Sequence, residues 1–384
     1  MQSNNKLRMA IRATAAATIF GMAAQAQAFS FSAGDVDASV YGYARLNMSY
    51  DMDENVANSG HRGGTFPNID DTQDVDGHFG AAASQSRIGV KATHSNGVMV
   101  NVEGDFMGAD YKGGALRLRH AYGSYNGILA GQTWSNYNSF VGSTSTLDFD
   151  GVAGVAGFGS RTAQLRYTTG PLSFSVEDPK GGVAGATPDD NTDNATNPAE
   201  NTKNGMPAFT ARLEDSAGGF SYAAAALVKQ TSYEVASTDT DDDALGYAVF
   251  GAASMAVSDM ITVRGAINYT DGANAYLYRS GGADAYVDAN GDLETISGMG
   301  GTIGASISLG GGRTINATYG MTKLDVDDLG AAAKETNQNA FINYQWTPIE
   351  NVMMGVEYGY YETETQGGDS DDANRLMFAA QYNF

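Results

Sequence analysis

The sequence predicts an all-β protein: a transmembrane antiparallel β-barrel of 16 strands, with short periplasmic turns and long external loops. Three observations carry that prediction. An export signal opens the chain, yet no later segment reaches the ~18–20 continuous apolar residues of a spanning helix. Apolar and polar residues alternate with period two over segments of about ten residues. The connections between those segments alternate between long and short.

The first observation rests on Lys6, Arg8 and Arg12, on the small apolar stretch 13–24, and on Ala26-Gln27-Ala28. This order of a positive region, an apolar region and a small-x-small site reads as a secretory signal peptide over residues 1–28, cleaved after Ala28. Residues 29–384 then form the barrel domain. Lipid offers peptide groups no hydrogen bonds, so only helices and closed barrels span it. With helices excluded, a barrel in the outer membrane of a Gram-negative bacterium remains. The chain has no cysteine, which excludes a disulfide scaffold and thiolate metal sites.

Alternation places strands at 37–50, 84–93, 98–107, 115–125, 128–135, 161–168, 171–178, 207–214, 219–229, 244–256, 260–270, 296–309, 313–324, 336–346, 352–364 and 374–384. Ala and Gly blur the two faces in 219–229 and 244–256. The outward face, towards lipid or a neighbouring subunit, is expected to carry Val40, Ile88, Val100, Leu165, Val263, Ile307, Ile342 and Phe378. Turns such as Asn126-Gly127 and Thr169-Gly170 are short and rich in residues that accept positive φ. The other connections are long and acidic, with Asp189-Asp190, Asp241-Asp242-Asp243, Asp327-Asp328 and 369–372. An even strand number with long loops on one side returns both termini to the periplasm. The last strand ends on Phe384, a terminal aromatic of the kind the barrel-assembly machinery reads.

Residues 84–180 contain Ser86-Arg87-Ile88-Gly89, Leu116-Arg117-Leu118-Arg119-His120-Ala121-Tyr122, Gly131-Gln132-Thr133-Trp134-Ser135-Asn136, Thr146-Leu147-Asp148-Phe149, Ala163-Gln164-Leu165-Arg166-Tyr167 and Glu177-Asp178-Pro179. In order and spacing this run resembles the DcaP-like family of Gram-negative outer-membrane porins. The resemblance implies a sixteen-stranded trimeric porin that admits small organic anions, dicarboxylates above all. Family members often carry a helical extension before the barrel, whereas here only a few residues separate Ala28 from the first strand.

Charge sorted by face points the same way. Loss of Lys6, Arg8 and Arg12 with the signal leaves 19 bases against 44 acids, a balance that argues against nucleic acid. Yet nine of those bases fall at lumen parity: Arg45, Arg87, Lys91, Arg117, Arg119, Arg166, Arg212, Arg264 and Arg375. The acids at lumen parity are Glu103, Asp105, Glu177, Glu214 and Glu357. A basic wall selects anions, and the guanidinium fork holds a carboxylate with two bonds. The alternative is that these arginines pair with Glu103, Asp105 and Glu177 and only balance charge. The connection 136–160 is a candidate constriction loop, with Asp148 and Asp150 facing the arginines across the pore; an outward surface loop is the other reading. Asp288, Asn290, Asp292 and Glu294 alternate as oxygen ligands do, which suggests weak calcium binding or a solvated turn. No other cofactor is expected.

An enzyme needs a nucleophile, a base and an orienting group. His61, His78 and His94 fall in loops or turns, and His120 shares parity with Leu118 and so is expected to face outward, into a subunit interface. The expected partners are the lipid bilayer, lipopolysaccharide, the barrel-assembly machinery, two further copies in a homotrimer, and small organic anions. A non-selective diffusion porin and a structural or adhesive barrel are the alternatives.

Overall fold

The computed structural model describes residues 29–384 apart from 54–55, 57–65, 67–68, 70–76, 109–113, 185–186, 189–200, 204, 236–239 and 289. The signal segment 1–28, His61 and Asp189-Asp190 lie outside the described residues. Sixteen strands wind into one closed sheet: β1 (Val36–Asp51), β2 (Arg87–His94), β3 (Met99–Gly108), β4 (Ala115–Tyr125), β5 (Ile128–Trp134), β6 (Arg161–Thr169), β7 (Leu172–Glu177), β8 (Ala208–Ala217), β9 (Phe220–Val235), β10 (Thr240–Ala256), β11 (Ile261–Asp271), β12 (Ser297–Gly310), β13 (Arg313–Leu324), β14 (Lys334–Ile349), β15 (Val352–Thr365) and β16 (Ser370–Asn383). Each pairs antiparallel with its successor, and residues 43–51 of β1 pair with 375–383 of β16 to close the cylinder.

Closure brings the C-terminus against β1. Gly42 and Phe384 exchange both backbone hydrogen bonds at 3.1 Å. A Cβ at Gly42 would collide with the Arg87 carbonyl and crowd the Phe384 ring, so glycine is required where the last residue meets the first spanning strand. An unforeseen short strand, Phe29–Ala33, folds back on Val36–Val40 through a two-residue turn in which Gly34 has φ 61°. The hairpin at Asn126-Gly127 has positive φ at both residues, 48° and 83°, the backbone hand that matches strand twist.

Outward residues form an apolar belt. Ile88, Val100, Leu165, Val263, Ile307 and Ile342 are exposed, and Val40 and Phe378 are half-buried. In water such a belt would be an aggregation surface; in a bilayer it is solvated by lipid. A tilted spanning strand needs about 9–11 residues. β9 and β10 have 16 and 17, so their hairpin continues beyond the bilayer, past the ends expected at 229 and 244.

The core lies inside the cylinder. Tyr137, Val141 and Ala156, from the connection between β5 and β6, pack against Ala223, Ala225 and Leu227 of β9 and Ala248, Phe250 and Ala252 of β10. The blurred faces of these two strands have a physical cause: their inner face meets a loop, not water, and is apolar like the outer one. Fully burying a side chain such as Phe250 stabilises by about 2 kcal/mol.

Candidate functional site

The connection 135–160 turns into the lumen and is held there by the wall. Two buried glutamates pin it. Glu177 accepts the Asn136 N–H and the Ser135 hydroxyl, each at 2.6 Å. Glu357 accepts the N–H groups of Leu147 and Asp148, both at 2.7 Å, and Asn343 Nδ2 at 2.9 Å. Between these points wall asparagines complete the loop backbone. Asn339 accepts from the Ala153 N–H at 2.9 Å and donates to the Gly151 carbonyl at 3.1 Å. Asn268 does the same for Gly157 and Gly154, at 3.1 and 2.8 Å. A loop buried away from water must have its peptide groups satisfied, and side-chain amides supply both donor and acceptor.

A second connection, 272–296, also folds inward. Gly154 N–H donates to the Tyr278 carbonyl at 3.0 Å and the Tyr278 hydroxyl to the Asp150 carbonyl at 2.7 Å. Arg279 forms an ion pair with Asp150 and sits at φ 70°, while its carbonyl accepts Asn337 Nδ2 at 2.9 Å. Lys229 of β9, fully buried, pairs with Asp284 of the same connection. The two connections are thus cross-linked over the lumenal side of β8–β15.

The wall of β2–β4 carries a basic cluster. Arg117 binds Asp105 through Nε at 3.0 Å and Nη2 at 2.7 Å. Arg119 bridges Glu103 at 2.7 Å and Asp105 at 2.9 Å. Arg87 reaches Glu103 at 3.5 Å and lies 4.6 Å above the Tyr43 ring. The guanidinium groups of Arg117 and Arg119 lie 5.9 and 6.0 Å from the ring of Phe149, at the loop tip. The side chains of Arg117 and Arg87 keep 30% and 20% exposure, that of Arg119 only 3%, so two of the three are within a solute's reach.

Several sequence expectations are corrected here. Asp148 and Asp150 do not face these arginines across a gap. Asp148 is buried, accepts the Tyr361 hydroxyl at 2.7 Å and the Asp150 N–H at 2.8 Å, and Asp150 is held by Arg279. Burial, then the Asp150 charge, pushes the Asp148 carboxyl above the usual carboxylate range. Phe149, between them, is the residue that meets the cluster. His120 does not face outward: a register shift between Glu103 and Gly104 changes the phase of β4, and His120 is buried with a 2.9 Å hydrogen bond to Thr133. Nor do Asp288, Asn290, Asp292 and Glu294 converge on a cation. Asp288 accepts the backbone N–H groups of Asn290 and Asp292 at 2.8 and 2.9 Å in a tight turn, and no group of three acids or histidines poised for a metal occurs among the described residues.

The other wall bases divide by what covers them. Arg45 is buried on the Leu147 carbonyl at 2.9 Å and on Asn47 at 2.8 Å. Arg375 is buried against Asp51, at 2.5 and 2.9 Å. These two are fasteners out of a solute's reach, contrary to their expected place on the path. Arg166 holds Gln164 at 2.8 Å and the Trp134 carbonyl, Arg212 the Asn138 carbonyl, and Arg264 the Ser306 hydroxyl at 2.7 Å. Lys91 is exposed. Parity missed Asp51 and Lys229, which sit at or beyond the expected strand ends, and Arg161, whose guanidinium lies 4.0 Å over the Trp134 ring.

Known proteins share this architecture. The outer membrane channel DcaP of Acinetobacter baumannii aligns with 28% identity and a TM-score of 0.78, over 92% of this chain and 99% of that one. An anion-selective porin from Comamonas acidovorans aligns at 13% identity and TM-score 0.57, over 91% of this chain and 100% of that one. OmpT of Vibrio cholerae aligns at 14% and 0.57, over 92% and 100%; these last two show the fold alone. No curated protein sequence is significantly similar to the chain. Residues 4–384 match the DcaP outer membrane protein family. With a closed sixteen-stranded barrel, an apolar belt and a lumen partly filled by its own loops, the chain belongs to the DcaP family and is an outer-membrane channel.

Proposed function

We propose that the channel is an anion-preferring diffusion porin for small organic anions such as dicarboxylates. It works as a homotrimer and reaches the membrane by way of the signal 1–28 and the barrel-assembly machinery, with lipopolysaccharide around its outer rim. The observation that carries this reading is the cluster on β2–β4. Arg87, Arg117 and Arg119 stand against only Glu103 and Asp105, on the wall opposite the side filled by the two inward connections. Guanidinium groups hold a carboxylate through paired N–H donors. The two carboxylates keep the arginines extended and weaken their grip, so an anion is admitted and released. One unit pair at ~4 Å and an effective dielectric near 20 is worth about 4 kcal/mol before desolvation. That offsets part of the cost of dehydrating a dianion without trapping it. Charges farther from this wall than the ~8 Å screening length act weakly on a solute held there.

Liposome swelling tests the reading. Dicarboxylates should enter faster than neutral solutes of equal size, and the double variant R117Q/R119Q should remove the difference while folding normally. Equal rates for charged and neutral solutes would instead support a non-selective pore. That second reading draws on the pairing of Arg117 and Arg119 with Asp105 and Glu103. Cross-linking in native membranes tests the trimer.

A further inference from the structure

Arg161 opens β6, directly after the inward connection 135–160. By strand register it pairs with Trp134 and alternates with Thr162, which is buried on the lumenal side. Simple alternation therefore assigns it to the lipid face. Its surroundings say otherwise. Trp134 makes edge contacts with Phe140 of the inward connection at 5.0 Å and with His120 at 6.0 Å. The Arg161 guanidinium lies 4.0 Å over Trp134 and is close enough to Arg119, Arg87 and Arg117 for their charges to act on it. His120 is buried on the lumenal side and Phe140 belongs to the inward connection, so the indole between them, and the guanidinium stacked on it, stand at the lumen edge and not in lipid.

The wall cluster therefore holds four guanidinium groups, not three, and the same two carboxylates. Glu103 and Asp105 bind Arg87, Arg117 and Arg119. The Arg161 side chain makes no hydrogen bond or ion pair among the described residues, and its Nε is buried without an acceptor. Its flat face is covered by the indole, which binds a cation without neutralising it. Each of the other three shares an acid; Arg161 carries its charge whole.

We infer that Arg161, backed by Trp134, is the specificity-determining cation of the pore. It takes a carboxylate from the lumen and passes it to the arginines that share Glu103 and Asp105. The inference rests on the anion-preferring reading of the channel and adds to it the residue that dominates the preference.

The experiment compares wild type with Arg161→Gln and Arg161→Lys in planar bilayers, reading chloride-over-sodium permeability from reversal potentials. Arg161→Gln should lower the ratio about two- to threefold, the effect of one unit charge about 8 Å away in a water-filled pore. Arg161→Lys should keep it. Trp134 reports the same charge by fluorescence in a Trp346→Phe background, because the chain has only 2 tryptophans. Iodide should quench Trp134 more strongly than caesium, and Arg161→Gln should reduce iodide quenching by a similar factor, a change that a purely structural arginine would not produce. Where Arg161→Gln does not insert, Arg161→Met, which keeps a stem over the indole, takes its place. A wild type with no preference for chloride overturns the anion reading, and this inference with it. A chloride-preferring wild type whose ratio and iodide quenching survive Arg161→Gln overturns this inference alone.

Discussion

Glu357→Ala is the sharpest perturbation of the inward loop. The carboxylate lies on β15 and accepts the N–H groups of Leu147 and Asp148 at 2.7 Å and Asn343 Nδ2 at 2.9 Å. Its removal leaves two buried backbone donors without an acceptor, at about 1–3 kcal/mol each, and both bonds are charge-assisted. The local cost is therefore about 3–6 kcal/mol. The barrel's backbone ladder is untouched, since it does not involve this side chain; the wall loses only the Asn343 contact. The loop base also stays anchored, through Glu177 and Asn136. What changes is the free energy of opening the tip. At about 1.4 kcal/mol per decade, amide exchange at Leu147 and Asp148 should quicken by two to four orders of magnitude, while amides of β9 and β10 keep their rates. Single-channel records should show larger and noisier conductance. An exchange change under tenfold at these two amides, with conductance unaltered, would refute the assignment of Glu357 as the tip anchor.

Two further predictions concern the same loop and the seam. The Asp148 carboxyl titrates above its ordinary 3.8 in the native state because it is buried and next to Asp150. The native protein thus binds a proton more readily than the unfolded chain, and this group's contribution to stability is lost as pH rises from 3.8 through the raised value. Asp148→Asn should raise the unfolding temperature at neutral pH, with the gain fading on acidification; a loss at neutral pH would contradict this. Deleting Phe384 removes the residue that exchanges two backbone bonds with Gly42, and should lower outer-membrane levels far more than the heat stability of the inserted fraction. Normal levels would count against it.

Much of the barrel is legible because period-two alternation must hold wherever one face meets lipid and the other water. It fails where those conditions fail. β9 and β10 read as ambiguous because their inner residues, Ala225 and Phe250 among them, meet the loop that Tyr137 and Ala156 bring in. His120 reads on the wrong face because of a bulge between Glu103 and Gly104, and parity leaves Arg161, at the first position of its strand, out of the lumenal bases. Parity also says which side a base occupies but not what covers it. Arg45 and Arg375 therefore looked like lining residues, although one holds the Leu147 carbonyl and the other Asp51. A usable signal was present: lumenal Asn268, Asn339 and Asn343 lie on strands β11 and β14, around the barrel from an apolar inner face. Neutral amides there, where a water-filled wall tolerates charge, are what a docked backbone requires.

The central claim is that the solute passes along the Arg87, Arg117 and Arg119 wall, and that this wall decides selectivity against an acidic whole. The formal charge of −22 for the full chain favours cations; the cluster favours anions. The reversal potential of the wild-type channel in a potassium chloride gradient separates the two directly, because its sign is the sign of the preferred ion. The account predicts a chloride-preferring potential that weakens as salt rises and screening shortens. A potassium-preferring potential would contradict it.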